Sequence, residues 1–115
     1  MPEACLFCRI VRKKIPAKVA LESSQALAFY DINPQAPVHI LVVPKTHIEN
    51  AMAVGPEHAG ALYEVLMLAQ EAAKKEGISK SGFRLVFNNG PDAGQAVAHL
   101  HLHVLGKRKL GWPPG

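Results

Sequence analysis

Near the C-terminal end, Val97-Ala98-His99-Leu100-His101-Leu102-His103-Val104-Leu105 alternates imidazoles with small or aliphatic side chains. Strict alternation is the period of an extended strand, in which every second side chain points the same way. A strand over 97–105 would put His99, His101 and His103 on one face, about 6.6 Å apart at a rise of about 3.3 Å per residue. Ala98, Leu100, Leu102 and Val104 would share the other. A row of imidazoles is a poor packing solution, because each ring carries two nitrogens that need partners. The run therefore points to chemistry. An expression tag would be contiguous and unpatterned. Two other readings remain beside a catalytic row: an all-histidine metal site, and three histidines satisfied within the core.

The rest of the chain supplies a frame for such a strand. Pro56 suits the first turn of a helix and Gly77 a position just past the last one. Between them Ala61/Leu62, Val65/Leu66, Ala69 and Ala72/Ala73 recur at helical spacing and form the expected buried stripe. Leu6 to Lys13 reads as a short helix with Leu6, Ile10 and Lys13 on one side. Lys18–Leu21, Ala26–Tyr30, His39–Val43 and Phe83–Phe87 read as further strands, the first two separated by the polar turn Glu22-Ser23-Ser24-Gln25. Two prolines make Asn33-Pro34-Gln35-Ala36-Pro37 a loop. Strands joined mostly by turns around one long helix indicate an α+β fold with an antiparallel sheet of about five strands. At 115 residues one domain spanning 1–115 is expected. So small an open sheet leaves edges that a second copy could pair.

Charge and composition exclude several functions. Arg12-Lys13-Lys14 and Lys107-Arg108-Lys109 are the only basic runs, and the formal net charge is +4, which argues against a nucleic-acid groove. No apolar run has membrane-spanning length, and no secretory signal opens the chain. Its two cysteines, Cys5 and Cys8, are too close for a fold-stapling disulfide, and a cytoplasmic location with reduced thiols follows.

Two further constellations carry chemistry. Asn88-Asn89-Gly90-Pro91-Asp92-Ala93-Gly94-Gln95-Ala96 runs into the histidine segment; its glycines allow a tight turn that presents N–H groups to an anion. Asn88 adds an amide donor. Beside it, a neutral imidazole is a competent nucleophile toward phosphorus, and His101, the middle ring, is best flanked for attack. Cys5-x-x-Cys8 could supply half of a tetrahedral Zn²⁺ site, with His47 and His99 as candidates for the other half. A redox dithiol or two unligated buried cysteines are the alternatives. His58 reads as a surface residue.

His99-Leu100-His101-Leu102-His103-Val104-Leu105 resembles the histidine triad (HIT) motif. Ile15-Pro16-Ala17-Lys18, Ala28-Phe29-Tyr30-Asp31-Ile32, Pro34-Gln35-Ala36-Pro37, His39, Pro44-Lys45, Gly94-Gln95 and the ending Gly111-Trp112-Pro113-Pro114-Gly115 resemble the Hint branch of nucleotide hydrolases in that family. The resemblance implies a HIT-like fold whose sheets join across a homodimer. It implies hydrolysis of purine nucleoside phosphoramidates or acyl-adenylates, with purine nucleotides such as AMP and GMP as ligands. In that pattern His101 matches the nucleophile that becomes nucleotidylated and His103 the residue contacting phosphate and leaving group. His39 and His99 match the supporting histidines. Asn88, Ala96 and the backbone around Gly94 and Val97 match the phosphate cradle, and Asp31 the acceptor for the ribose hydroxyls. Leu6, Phe7, Ile10, Phe29, Ile32 and Leu41 match the apolar slot for the base, and Trp112 a tail residue that approaches the neighbouring protomer's site.

Two positions depart from the Hint pattern. Ala96 stands where serine is usual, which removes a hydroxyl from the phosphate or leaving group. Cys5 and Cys8 resemble instead the zinc-binding members of the family, in which the cysteine pair, the His47 position and the first triad histidine hold a structural Zn²⁺. The chemistry itself requires no metal. The alternatives are a nucleotide-binding regulatory or scaffold protein with weak catalysis, favoured by Ala96, and a dinucleoside polyphosphate hydrolase of the Fhit-like branch.

Overall fold

The computed structural model describes residues 4–115. The order of elements is α1 (Leu6–Val11), β1 (Val19–Glu22), β2 (Ala26–Tyr30), β3 (Val38–Pro44), α2 (Ala59–Lys75), β4 (Phe83–Phe87) and β5 (Leu102–Gly106). The five strands form one sheet in the order β1-β2-β3-β5-β4, and every neighbouring pair is antiparallel. The α+β reading and the strand count hold.

Strand alternation gives the sheet two different faces. Val38, Ile40 and Val42 of β3, Ala26 and Ala28 of β2, and Leu102 and Val104 of β5 form one core with Val65, Leu68, Ala69, Ala72 and Ala73 of α2. Alanines on both sides let the helix approach the strands closely. The opposite face carries a second cluster of Leu27, Phe29, Leu41 and Val43, covered by Phe7 and Ile10 of α1. All seven residues of β3 are buried. Both of its faces are covered, which is why it reads as a continuous β-branched and aliphatic run.

α2 ends as expected. Gly77 takes a left-handed conformation (φ 73°), and the Ile78 N–H reaches back to the Ala73 carbonyl at 2.9 Å. This closes the helix and drops Ile78 into the core. At its start, Pro56–His58 forms a 3₁₀ turn, and the α-helix begins at Ala59. The expected stripe is shifted slightly: Leu68 is buried, whereas Leu66 is exposed and lies beside Leu85 and Phe87 of edge strand β4.

Two expected elements are shorter. α1 stops at Val11, and Lys13, in the left-handed region (φ 62°), turns the chain away with Lys14 N–H on the Arg9 carbonyl. Lys13 is therefore not on the face shared by Leu6 and Ile10. The strand expected over 97–105 covers only Leu102–Gly106. The β3–β5 ladder runs out at Val42↔Leu102, two residues before Pro44, which has no N–H to continue it on that side. Instead the Leu100 N–H bonds to the Ile48 carbonyl at 2.6 Å, and the Gln95 amide bonds the carbonyls of Val97 and Glu49.

Candidate functional site

The histidine rings lie on the side of the sheet that α1 covers, Phe7 standing 5.9 Å from His99 and 5.1 Å from His101, but only His103 falls inside β5. His99 is fully buried and turned toward the two cysteines. His101 and His103 remain neighbours, with ring centroids 5.1 Å apart. Both line a cavity of about 330 Å³ with Leu6, Phe7, Ile10, Phe29, Asp31, Ile32, Leu41, Ala96 and Val97. This is the size range of small-ligand pockets. Fully exposed Ile32 lies at the mouth. Phe7 stands edge-on to Phe29 and to His101, at 5.5 and 5.1 Å between centroids.

His39 is buried behind His103 rather than lining the cavity. Asn88 and Gly94 do not line it either. The Gly94 N–H is consumed inside its own turn by the Pro91 carbonyl at 3.0 Å. Ile15, Pro16, Ala17 and Tyr30 line the cavity although no single residue pattern singles them out.

Hydrogen-bond partners assign the protons on these rings. His101 Nδ1 lies 2.7 Å from the His99 carbonyl and must donate to it, which leaves Nε2 with a free lone pair. The Gln35 N–H donates to His39 Nδ1 at 3.0 Å, so neutral His39 carries its proton on Nε2. That nitrogen lies 2.9 Å from His103 Nδ1 and 3.3 Å from Asp31 Oδ2. His103 therefore accepts on Nδ1 and carries its own proton on Nε2. His103 Nε2 is buried with no protein partner among the described residues.

Burial chiefly pushes the His103 pKa down to about 4, with the neighbouring His101 and His39 rings adding to the effect. Burial also lowers His39, against the pull of Asp31. These two rings are neutral at physiological pH, as the assignment requires. The cavity thus presents a lone pair on one histidine and an N–H on the next, which can attack an electrophile and hydrogen-bond a leaving atom.

A second constellation stands behind the first. One ligand atom from each of Cys5, Cys8, His47 and His99 lies within 4.8 Å of the others. Cys8 Sγ is 3.3 Å from His47 Nδ1 and 3.5 Å from His99 Nδ1; Cys5 Sγ is 3.3 Å from His99 Nδ1, and the two Nδ1 atoms are 3.2 Å apart. Tetrahedral zinc with these donors has edges of about 3.3–3.8 Å, so the set fits such a metal. His99 Nε2 is 2.9 Å from the Pro44 carbonyl. That partner holds the proton on Nε2 and turns the Nδ1 lone pair toward the sulfurs, as metal-ligating histidines are commonly oriented.

Without a cation, burial above all, reinforced by Cys5, pushes the Cys8 thiol up to about 11; burial lowers His99 to about 4. Cys5 also caps α1 through its sulfur, so the cluster anchors the short helix that walls the cavity. A second cavity of about 510 Å³ opens beside the cluster, lined by Cys5, His47 and Glu49, and shares Leu6, Ala96 and Val97 with the first.

Residues 12–110 match the HIT domain. The chain belongs to the HIT family. Two HIT-like proteins described as uncharacterized, from Synechococcus elongatus and a Synechocystis strain, are 47% and 48% identical over the full length of both chains. Among solved structures, a HIT family hydrolase from Legionella pneumophila is 48% identical with a TM-score of 0.94, covering 96% of this chain and 99% of its own. A histidine triad nucleotide-binding protein from Candida albicans is 28% identical with a TM-score of 0.84, covering 95% and 82%. Of the alternating histidines in this HIT chain, His103 lies in β5 and His99 joins the cysteine cluster.

Proposed function

We propose that this protein is a nucleotide hydrolase that cleaves the P–N bond of purine nucleoside phosphoramidates, or the mixed anhydride of acyl-adenylates, through a nucleotidyl-His101 intermediate. The observation that carries the reading is the pairing of a free His101 Nε2 lone pair with a buried, unpartnered His103 Nε2 donor in one cavity. The solved relatives titled hydrolase and nucleotide-binding protein support the same class.

The slot between Phe7, Ile10 and Phe29 suits a flat purine. Asp31, an acceptor at the same cavity, suits sugar hydroxyls. The backbone of Ala96 and Val97 suits the phosphate. His101 Nε2 attacks phosphorus and the P–N bond breaks in line, inverting phosphorus. The substrate nitrogen, protonated from solvent before the bond breaks, departs as the neutral amine while His103 Nε2–H hydrogen-bonds it, and His39 supports His103 from behind. Water then attacks phosphorus in the His101 adduct, His101 Nε2 leaves with the bonding pair, and the water's proton passes to solvent as the nucleotide is released.

Cys5, Cys8, His47 and His99 would hold structural Zn²⁺, which supplies rigidity when bound. A cytoplasmic location suits thiolate ligands. The exposed apolar face of Leu66, Leu85 and Phe87 along edge strand β4 supports a homodimer; sedimentation of the wild type against Leu85→Glu tests it, and a monomeric wild type refutes it.

The decisive experiment is turnover of an adenosine phosphoramidate by wild type and His101→Ala, with adenylate trapped on His101 when His103 is replaced. Equal rates in the two proteins refute the reading. Ala96, which offers no hydroxyl, favours a second reading as a nucleotide-binding regulatory protein. Tight AMP binding with no turnover would select it.

A further inference from the structure

We propose that Gln95 is a positioning residue: its side-chain amide locks the backbone of Ala96 and Val97 into the wall that places a phosphate before His101. The inference rests on the nucleotide reading above and deepens it. Gln95 itself lines neither of the two cavities that Ala96 and Val97 share.

Residues 95–101 belong to no helix or strand, so no ladder fixes their backbone. Three bonds to backbone carbonyls tie them to 44–49. The Leu100 N–H donates to the Ile48 carbonyl at 2.6 Å, the His99 ring to the Pro44 carbonyl at 2.9 Å, and Gln95 Nε2 to the Glu49 carbonyl at 2.9 Å. The first is a backbone bond, and the second belongs to a ring of the cysteine cluster. Of the three, only the Gln95 tie depends on a side chain outside that cluster. Every polar atom of this amide is used. Nε2 also donates to the Val97 carbonyl at 3.0 Å, and Oε1 accepts the Gly90 N–H at 2.9 Å. Two carbonyls on one side and an N–H on the other admit a single orientation of the amide. The Gln95 N–H returns to the Gly90 carbonyl at 3.1 Å, closing a turn in which Gly90 and Gly94 take left-handed φ of 85° and 80°. The base of the side chain is thereby fixed as well as its tip.

The segment so held carries unused donors. Ala96 and Val97 line the histidine cavity with His101 and His103, and their N–H groups donate to no protein acceptor among the described residues. Holding the Val97 carbonyl fixes the plane of the Val97–Ala98 peptide, and the closed turn fixes the chain on the other side of Ala96. Ala96 brings no hydroxyl, so anionic oxygens there depend on backbone donors. Backbone donors bind an anion well only when they are already ordered, because a loose segment loses conformational entropy on binding. Alignment matters as much as affinity: a phosphorus displaced by about 1 Å from the line of attack slows reaction by about 10²-fold. Gln95 supplies both order and alignment without contacting the ligand.

The test compares binding of AMP and adenosine, which differ by the phosphate, to the protein as purified. Wild type should prefer AMP. Gln95→Met, similar in length but without the amide, should reduce that preference about tenfold and leave adenosine affinity unchanged. Its saturating single-turnover rate on adenosine 5′-phosphoramidate should fall about 100-fold. Gln95→Asn keeps the polarity but is one methylene too short to span both carbonyls; it should act in the same direction, and it decides the matter if Gln95→Met does not fold. Glu64→Ala is the structural control. It removes a polar tie far from the cavity, where Glu64 accepts the Ser23 hydroxyl at 2.6 Å and the Gln25 N–H at 2.8 Å. It should lower the thermal midpoint with the AMP preference and the rate unchanged. In wild type, AMP but not adenosine should move the amide resonances of Ala96 and Val97 downfield. An AMP preference kept in both Gln95 variants, an equal loss in Glu64→Ala, or amide shifts alike for the two ligands overturns the inference alone. A wild type that binds AMP and adenosine equally removes the nucleotide reading with it. A phosphoramidate left uncleaved removes only the hydrolase reading, and the affinities still decide the role of Gln95.

Discussion

The two faces of the sheet are cut from the same strands and differ in almost everything else. β3 sends Val38, Ile40 and Val42 to one side and His39, Leu41 and Val43 to the other. The first side meets a 17-residue helix rich in alanine; it closes into an apolar core with no histidine in it. The second meets a helix of six residues, too short to be stable by itself and too small to cover the face. Histidines therefore lie at the margin of that cover, where each ring finds a partner or faces a cavity. The helix-covered face holds the fold, and the other holds the chemistry. Where α1 lacks apolar area, the Cys5–Cys8–His47–His99 cluster ties it down.

Removing the nucleophile should break the contrast most sharply. His101→Ala is expected to lower turnover by at least about 10³-fold while leaving the thermal midpoint close to wild type; retained turnover would move the chemistry elsewhere. Leu68→Ala, on the α2 face, should do the reverse. Urea unfolding should show a loss of about 2–5 kcal/mol, with kcat of the folded fraction unchanged.

Chelation probes the staple between the faces. Metal at 100 times its Kd contributes about 2.7 kcal/mol, so its removal should lower Tm by roughly 10 °C or more. AMP affinity should fall with it, because α1 walls the cavity; a chelator that leaves both unchanged would sever α1 from the cluster.

Acid should act on the histidine face. The folded pKa of His103, about 4, lies below its ordinary 6.5, and that of His39 is also lowered. The unfolded chain therefore binds more protons in this window. The stability from these groups is complete above about 6.5 and declines as pH falls toward 4. Melting curves between pH 7 and 5 should record it, with a shallower decline in His103→Gln. The smallest effect is expected from Ala96→Ser. One restored hydroxyl bond of about 1 kcal/mol should raise turnover several-fold, and a neutral result would place position 96 away from the reacting groups.

Much of this was legible in residue pattern. Gly77 marked the end of α2 because it tolerates positive φ, whereas Pro56 opens the 3₁₀ turn that precedes Ala59. Ala26–Tyr30 and Phe83–Phe87 were bounded correctly from alternation and turn residues. The apolar lining from Leu6, Phe7, Ile10, Phe29, Ile32 and Leu41, together with Asp31, came from family resemblance, since isolated apolar residues do not announce which face they take. Alternation misled in one place. Val97–His101 has strand periodicity, but no ladder partner exists beyond Val42, and the segment bonds to Ile48 and Gln95 instead. The exposure of Leu66 escaped notice for a related reason: helical spacing defines a stripe but not its width.

From the amino-acid order alone came the strands, the long helix, the residue types capable of attack and ligation, and the pairing of Cys5 with Cys8. These are local properties, set by backbone sterics and by the chemistry of each side chain. Only the folded chain decided which histidine does what. His39 meets His103 across 64 positions and Cys5 meets His99 across 94. The location of each imidazole proton depends on the carbonyl or amide brought to its other nitrogen. Such partners are backbone groups of Gln35, Pro44 and His99, identical in every residue, and no side-chain pattern can reveal where they will lie.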